Sequence, residues 1–153
     1  MSLIIYSLIA IILQSVVLPR LTFLGAVPNL ILVSIIVFSI VNEKQKPIYF
    51  AAALGFLQDI LLEGFYLYTI AYVVVATMLI NIKDNFIGNE FRFILGSVAI
   101  ITPLLLLFEI TVLYLFYGKF FSFFYVFKIL LLTTVYNLIL VPIVWSFCRG
   151  WKK

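Results

Sequence analysis

Long apolar runs alternate along the chain with short clusters of charge, Gly and Pro. The clusters fall at Leu18-Pro19-Arg20, residues 42–46, Glu63-Gly64, residues 83–92, Gly118-Lys119, and from Arg149 onward. Such residues break regular structure, and six apolar segments lie between them: 2–18, 21–41, 47–62, 65–82, 93–117 and 120–148. A helix needs ~20 apolar residues to cross the hydrocarbon of a bilayer. The pattern therefore predicts an all-α integral membrane protein of about six transmembrane helices in a single polytopic domain. Its first half is irregular. Pro28 interrupts the second segment and leaves only residues 29–41 as uninterrupted helix, too short for a full crossing. Residues 19–28 are expected to be loop or re-entrant backbone packed against the bundle, because irregular backbone at membrane depth needs protein or a water-filled cavity to cover its polar groups. Five crossings plus a re-entrant segment is the alternative count. Pro103 and Pro142 predict kinks in the last two helices.

Composition agrees with a membrane solvent. The chain is 66% apolar and 10% charged, with a mean hydropathy of +1.29, more apolar surface than a soluble fold can cover. Ten Lys and Arg stand against six Asp and Glu, but they are scattered singly and form no stripe to track phosphates, which argues against a nucleic-acid partner. Their placement orients the helices instead. With the N-terminus inside, the inner stretches hold Lys44, Lys46, Lys83, Arg92, Arg149, Lys152 and Lys153, and the outer loops only Arg20 and Lys119. Seven against two is a positive-inside bias that predicts both termini on the cytoplasmic side. The aromatic run at residues 120–125 resembles an interfacial belt at the outer surface. The first segment lacks a basic n-region and a small-residue cleavage site, so it is expected to be a retained span rather than a signal peptide.

Candidate chemistry is sparse. Cys148 is the lone cysteine and histidine is absent, so neither an internal disulfide nor an ordinary zinc site is expected, and Cys148 reads as a buried small apolar residue. There is no activated nucleophile, no phosphate-cradling glycine loop and no long aqueous loop. A non-enzyme without cofactor or metal is expected, and no charged ring suggests a complete channel.

Ionisable groups at membrane depth are functional candidates until a partner is found. Glu109 lies eight residues before Tyr117 and Lys128 eight after Phe120, so on antiparallel helices both sit ~12 Å below the outer boundary. They are expected to form a helix-locking ion pair, with a proton or ion relay as the sharper alternative. Asp59 lies near the outer end of the third segment with Glu63 one turn on, and Arg20 is the nearby outer cation. Arg20 is expected to tie the first outer loop to Asp59 or Glu63; ligand binding is the alternative. Ala51, Ala52 and Gly55 give the third segment a small-residue face that suits close helix packing, inside the bundle or against another protein's helix. Gln14, Asn137 and Thr133-Thr134 are expected to supply hydrogen bonds between helices.

The order of several short motifs resembles the MreD family of the bacterial rod-shape (elongasome) complex over nearly the whole chain. They are Gln14, Leu18-Pro19, Pro28-Asn29-Leu30-Ile31-Leu32, and, most specific, Gly55-Phe56-Leu57-Gln58-Asp59-Ile60-Leu61 followed by Gly64. Glu63 departs from the pattern, which more usually has a small or hydroxyl residue there. The resemblance implies a non-enzymatic scaffold of the cytoplasmic (inner) membrane that maintains rod shape. Such a scaffold binds MreC, a single-span protein with a large outer domain, and helps couple MreB filaments to peptidoglycan synthesis by RodA and a penicillin-binding transpeptidase. It also implies a bundle similar to the substrate-binding S-components of energy-coupling-factor transporters, so a vitamin-binding transporter subunit is the alternative function and a small ion-coupled carrier a third. On the scaffold reading, Ala51, Ala52 and Gly55 offer a groove to a helix of MreC, and residues 42–46 and 83–92 are where a filament or membrane lipids make contact from inside.

Overall fold

Each apolar segment becomes a helix in the computed structural model, which describes residues 3–22, 24–42, 46–62 and 67–149. The first, α1 (Leu3–Ile12), runs on through a π turn at Leu13–Val17 and a 3-10 turn at Leu18–Leu21, the latter opening next to Pro19. After an irregular stretch come α2 (Leu30–Val41), α3 (Lys46–Leu61), α4 (Leu67–Lys83), α5 (Glu90–Tyr117) and α6 (Phe123–Arg149). The chain is thus all-α with six helices and an irregular first half. Of these, α5 and α6 are long and apolar enough to cross a membrane. At 1.5 Å per residue each is ~40 Å long, enough to reach from one polar interface to the other. Both run through their internal prolines, Pro103 and Pro142.

The shortest of the later helices occupies the centre. Only twelve residues long, α2 spans ~18 Å, and every residue after Leu30 is buried. Its sequence is apolar on all sides, which is the composition of a helix surrounded by protein rather than of one with a wet face. It packs against α3, α4, α5 and α6, and Tyr6 of α1 reaches it through a 2.6 Å hydrogen bond between the Tyr6 hydroxyl and Ser34 Oγ. The turn before α2 is only partly covered: Ala26 is buried, whereas Leu24 and Gly25 are exposed. Cys148 is buried in the core, as its apolar neighbours require.

Helices α3 and α4 form a tight antiparallel hairpin, and its closeness depends on Gly55. A Cβ at Gly55 would lie 2.6 Å from the Cα of Thr69 and 2.9 Å from its amide nitrogen, so no side chain fits without moving the backbone of α4. Ala51, on the same face, is fully buried, and Ala52 is half-buried. The small-residue face is therefore used inside the bundle. Ala51 and Gly55 are not available to a partner's helix, because Ala51 is fully buried and the start of α4 lies directly over Gly55.

At the far end of α5, Gly118 adopts φ +60°. Its N–H donates to the carbonyl of Tyr114, the single bond that ends a helix on a left-handed glycine, and the N–H of Lys119 donates to the carbonyl of Leu113. The chain then reverses into α6, with the aromatic run 120–125 exposed around the turn.

Gly55→Ala is expected to destabilise the protein by about 1–3 kcal/mol, the usual cost of overpacking, and to lower Tm in detergent. Gly96 lies in α5 with open space around its Cβ position. Gly96→Ala should leave Tm unchanged or raise it slightly, since only helix propensity changes. Equal Tm values for the two variants would contradict the close approach at Gly55.

Candidate functional site

The first turn of any helix has N–H groups with no partner inside the helix. For α2 those groups lie deep in the bundle, level with Thr102 of α5. Along α5 that level is ~18 Å from Glu90 and ~22 Å from Tyr117. Water is not the default partner there, and side chains take its place. Asn29 caps the helix, its Oδ1 accepting from the Leu32 N–H at 2.9 Å. Gln14, in the π turn, accepts the Leu30 N–H at 2.7 Å through Oε1 and donates from Nε2 to the carbonyl of Pro28 at 3.2 Å. Asn137 of α6 accepts the Asn29 N–H at 2.7 Å and donates to Thr102 Oγ1 at 3.1 Å. The Tyr72 hydroxyl donates to Gln58 Oε1 at 2.8 Å and accepts from Asn29 Nδ2 at 3.2 Å. One connected cluster thus joins the first segment, α3, α4, α5 and α6 to the start of α2. At the other end of α2, Lys83 of α4 donates from Nζ to the carbonyls of Ser39, at 3.2 Å, and Asn42. A cation is favoured there by the helix dipole.

Asp59 performs a related task for α4. Its carboxylate accepts the Tyr68 N–H at 3.1 Å, the Thr69 N–H at 2.8 Å and the Thr69 hydroxyl at 2.6 Å. A residue of α3 thereby caps the first turn of α4, where the positive end of the dipole favours an anion. Gly55, Gln58 and Asp59 are spaced i, i+3, i+4 and share one helix face. Gly55 admits the α4 backbone, Asp59 binds its N–H groups, and Gln58 bonds Tyr72 one turn on. The expected tie from Arg20 to Asp59 is corrected: among the described residues the partners of Asp59 are Tyr68 and Thr69, and Arg20 is exposed at the end of the 3-10 turn. A helix start supplied the compensating charge that the sequence reading sought in a cation. Glu63, the other proposed partner of Arg20, lies outside the described residues.

Beside the start of α2 is a cavity of about 270 Å³ lined by Gln14, Asn29, Gln58, Tyr68, Thr102 and Glu109, among others. A second hollow of about 240 Å³ shares Tyr68 and Glu109 with it and extends between α4 and α5 to Lys119. The buried positions Ile94, Val98, Thr102 and Leu105 form the inner stripe of α5, and Glu109 continues it by one more turn. Across the seam, the side chain of Tyr68 faces Glu109. Lys128 is not its partner, although the two match in depth. The inner stripe of α6 runs Thr133, Asn137, Val141, Val144, Cys148, and Lys128, five residues before Thr133, points ~140° away from it at 100° per residue. Equal depth fixes height on a helix but leaves direction open. Among the described residues no group of His, Cys, Asp or Glu is arranged to hold a metal ion.

Four residues of the cluster, Asn29, Gln58, Tyr72 and Thr102, escaped the sequence reading as interacting groups, as did Lys83 at the other end of α2. Asn29 carried a signal, since Asn directly before an apolar run is an N-cap signature. Tyr72 and Thr102 become visible only when the inner stripes of α4 and α5 are drawn.

Asp59→Ala leaves two N–H groups and a hydroxyl without their acceptor and should cost roughly 2–3 kcal/mol. Asp59→Asn, which keeps one acceptor oxygen, should lose less. Asn137→Leu keeps the volume but strips the Asn29 N–H and Thr102 of their partner, and a loss of about 1–3 kcal/mol is expected. Denaturant titration in mixed micelles reads all three, and a wild-type midpoint for Asp59→Ala would refute the capping role.

Several of the motif residues that carried the family resemblance meet in these contacts, among them Gln14, Pro28, Asn29, Gly55, Gln58 and Asp59. No curated protein and no solved structure is a significant match to the chain. The family model for rod shape-determining protein MreD matches residues 1–151, and the chain accordingly belongs to that family of non-enzymatic, shape-determining membrane proteins.

Proposed function

We propose that the chain is a scaffold of the bacterial elongasome in the cytoplasmic membrane, with both termini inside, binding MreC directly and meeting MreB, RodA and a penicillin-binding transpeptidase through the complex. The observation that carries this reading is the match of the MreD family model over residues 1–151, which gives the chain a rod shape-determining role. The geometry is consistent with a scaffold. The polar groups in the bundle are largely engaged with each other and with helix ends, and such networks fix one arrangement of helices rather than turn over a substrate. The seven-to-two distribution of basic residues supports the orientation, in which the Gly118 turn faces outside.

A second reading draws on that cavity. A hollow of about 270 Å³ with polar lining approaches the size of a small-ligand site, which favours a vitamin-binding subunit similar to the S-components of energy-coupling-factor transporters. The two readings predict different company. Affinity purification from native membranes should recover MreC, and depletion of the protein should round rod-shaped cells. Recovery of an ATPase module and a retained vitamin, without MreC, would replace the first reading by the second.

A further inference from the structure

Both α4 and α5 pack on α2, yet they make no substantial contact with each other. The gap between them is a groove of about 650 Å³ on the outside of the bundle. On one wall stand Ile70, Met78 and Ile82, on the other Ile100, Leu104 and Phe108, all exposed. From Arg92 to Phe108 the groove follows α5 for ~24 Å, most of the ~30 Å thickness of bilayer hydrocarbon. Among the described residues Arg92 is the one charged residue lining it, and Arg92 is exposed at its mouth. There the stacked rings of Phe86 and Phe93, 4.5 Å apart, bridge the two helices. The neighbouring cations are engaged elsewhere: Lys83 on the carbonyls that end α2, Arg149 on the ring of Trp145 at 4.5 Å. Asp84, in the link after α4, and Glu90, the first residue of α5, do not line the groove.

From this arrangement we infer that the α4–α5 groove holds one anionic phospholipid, its phosphate on Arg92 and an acyl chain along the apolar walls. Water gains nothing in a gap with almost no hydrogen-bonding groups, so an apolar occupant fills it in a membrane. Helix interfaces in lipid favour small residues that let backbones approach. Ala71, Gly96 and Ser97 form only part of these walls; the rest present Ile, Leu, Val, Met and Phe side chains, whose rotamers adapt to a mobile chain. A guanidinium at the mouth matches a phosphate by paired N–H donors, and basic residues at the membrane surface attract anionic headgroups. The groove adjoins the second hollow at Ala71, Leu105 and Phe108, and the proposal does not rest on MreC binding.

The full-length protein in neutral detergent, titrated with phosphatidylglycerol or with phosphatidylcholine of the same chains and read by native mass spectrometry, tests this directly. Wild type should retain one phosphatidylglycerol at least tenfold more tightly than phosphatidylcholine. Arg92→Gln, a surface change, should abolish that preference, whereas Arg149→Gln should keep it. Gly96 lines the groove with open space at its Cβ, so Gly96→Phe should fill the groove and reduce retention of both lipids at least tenfold with Arg92 intact. A photoreactive acyl chain should label α4 and α5 along the groove walls. Undiminished preference in Arg92→Gln overturns the proposal. So does labelling confined to other helices, or a co-purifying protein's helix that cross-links to Ile100 or Leu104 in place of lipid.

Discussion

A backbone N–H or C=O without a partner is expensive in hydrocarbon, several kcal/mol per group, and a twelve-residue helix buried among longer ones brings both its ends to where that cost applies. The architecture of this protein answers that constraint. Side chains from α4, from α6 and from the first segment end on the termini of α2, and the apolar sides of the same helices enclose its flanks. Polar and apolar contacts are thus two parts of one packing solution. Removing the short helix would leave the others with inward-facing amides and hydroxyls and nothing to bond.

Electrostatics at depth follows the same rule. A carboxylate in a low-dielectric setting needs compensation, and the usual expectation is a cation. Asp59 finds two N–H groups and a hydroxyl at the start of a neighbouring helix, which deliver partial positive charge at fixed positions without the entropy of ordering a long basic side chain. Lys83 is the mirror case, a full cation on the carbonyls that end a helix. In both places a formal charge is matched by backbone dipoles. This is why pairing acids with bases across the sequence named the right residue in Asp59 but the wrong partner.

Much of the fold was legible because it depends on one-dimensional features. Breaks at Pro28, Gly118 and the charged clusters set the helix limits, and the start of α2 one residue after Asn29 follows from proline sterics and capping. The family motif was legible too, although its meaning was not: Ala51, Ala52 and Gly55 read as a docking face until α4 is seen to close over Gly55, and Gln58 and Asp59 bond the same helix. What the sequence withheld is rotational. Depth along a helix can be counted, but whether Lys128 and Glu109 face each other depends on the inner stripe of each helix. The sole buried polar anchors of α6, Thr133 and Asn137, identify that stripe once they are read together. The gap between α4 and α5 was equally invisible, because an apolar row that faces a neighbour reads the same as one that does not.

The cluster around α2 also bears on the order in which the chain completes itself during synthesis. The α3–α4 hairpin is closed by bonds between residues nine and ten positions apart, contacts that form as soon as both helices leave the ribosome. The bond from Asn29 to Asn137 spans 108 positions, so the start of α2 waits until α6 has been made. Until α6 enters the membrane the central helix has walls on some sides and no complete ceiling, and a chain cut short before Asn137 carries the defect at its heart rather than at its end. The sixth helix is in this sense the keystone of the first half.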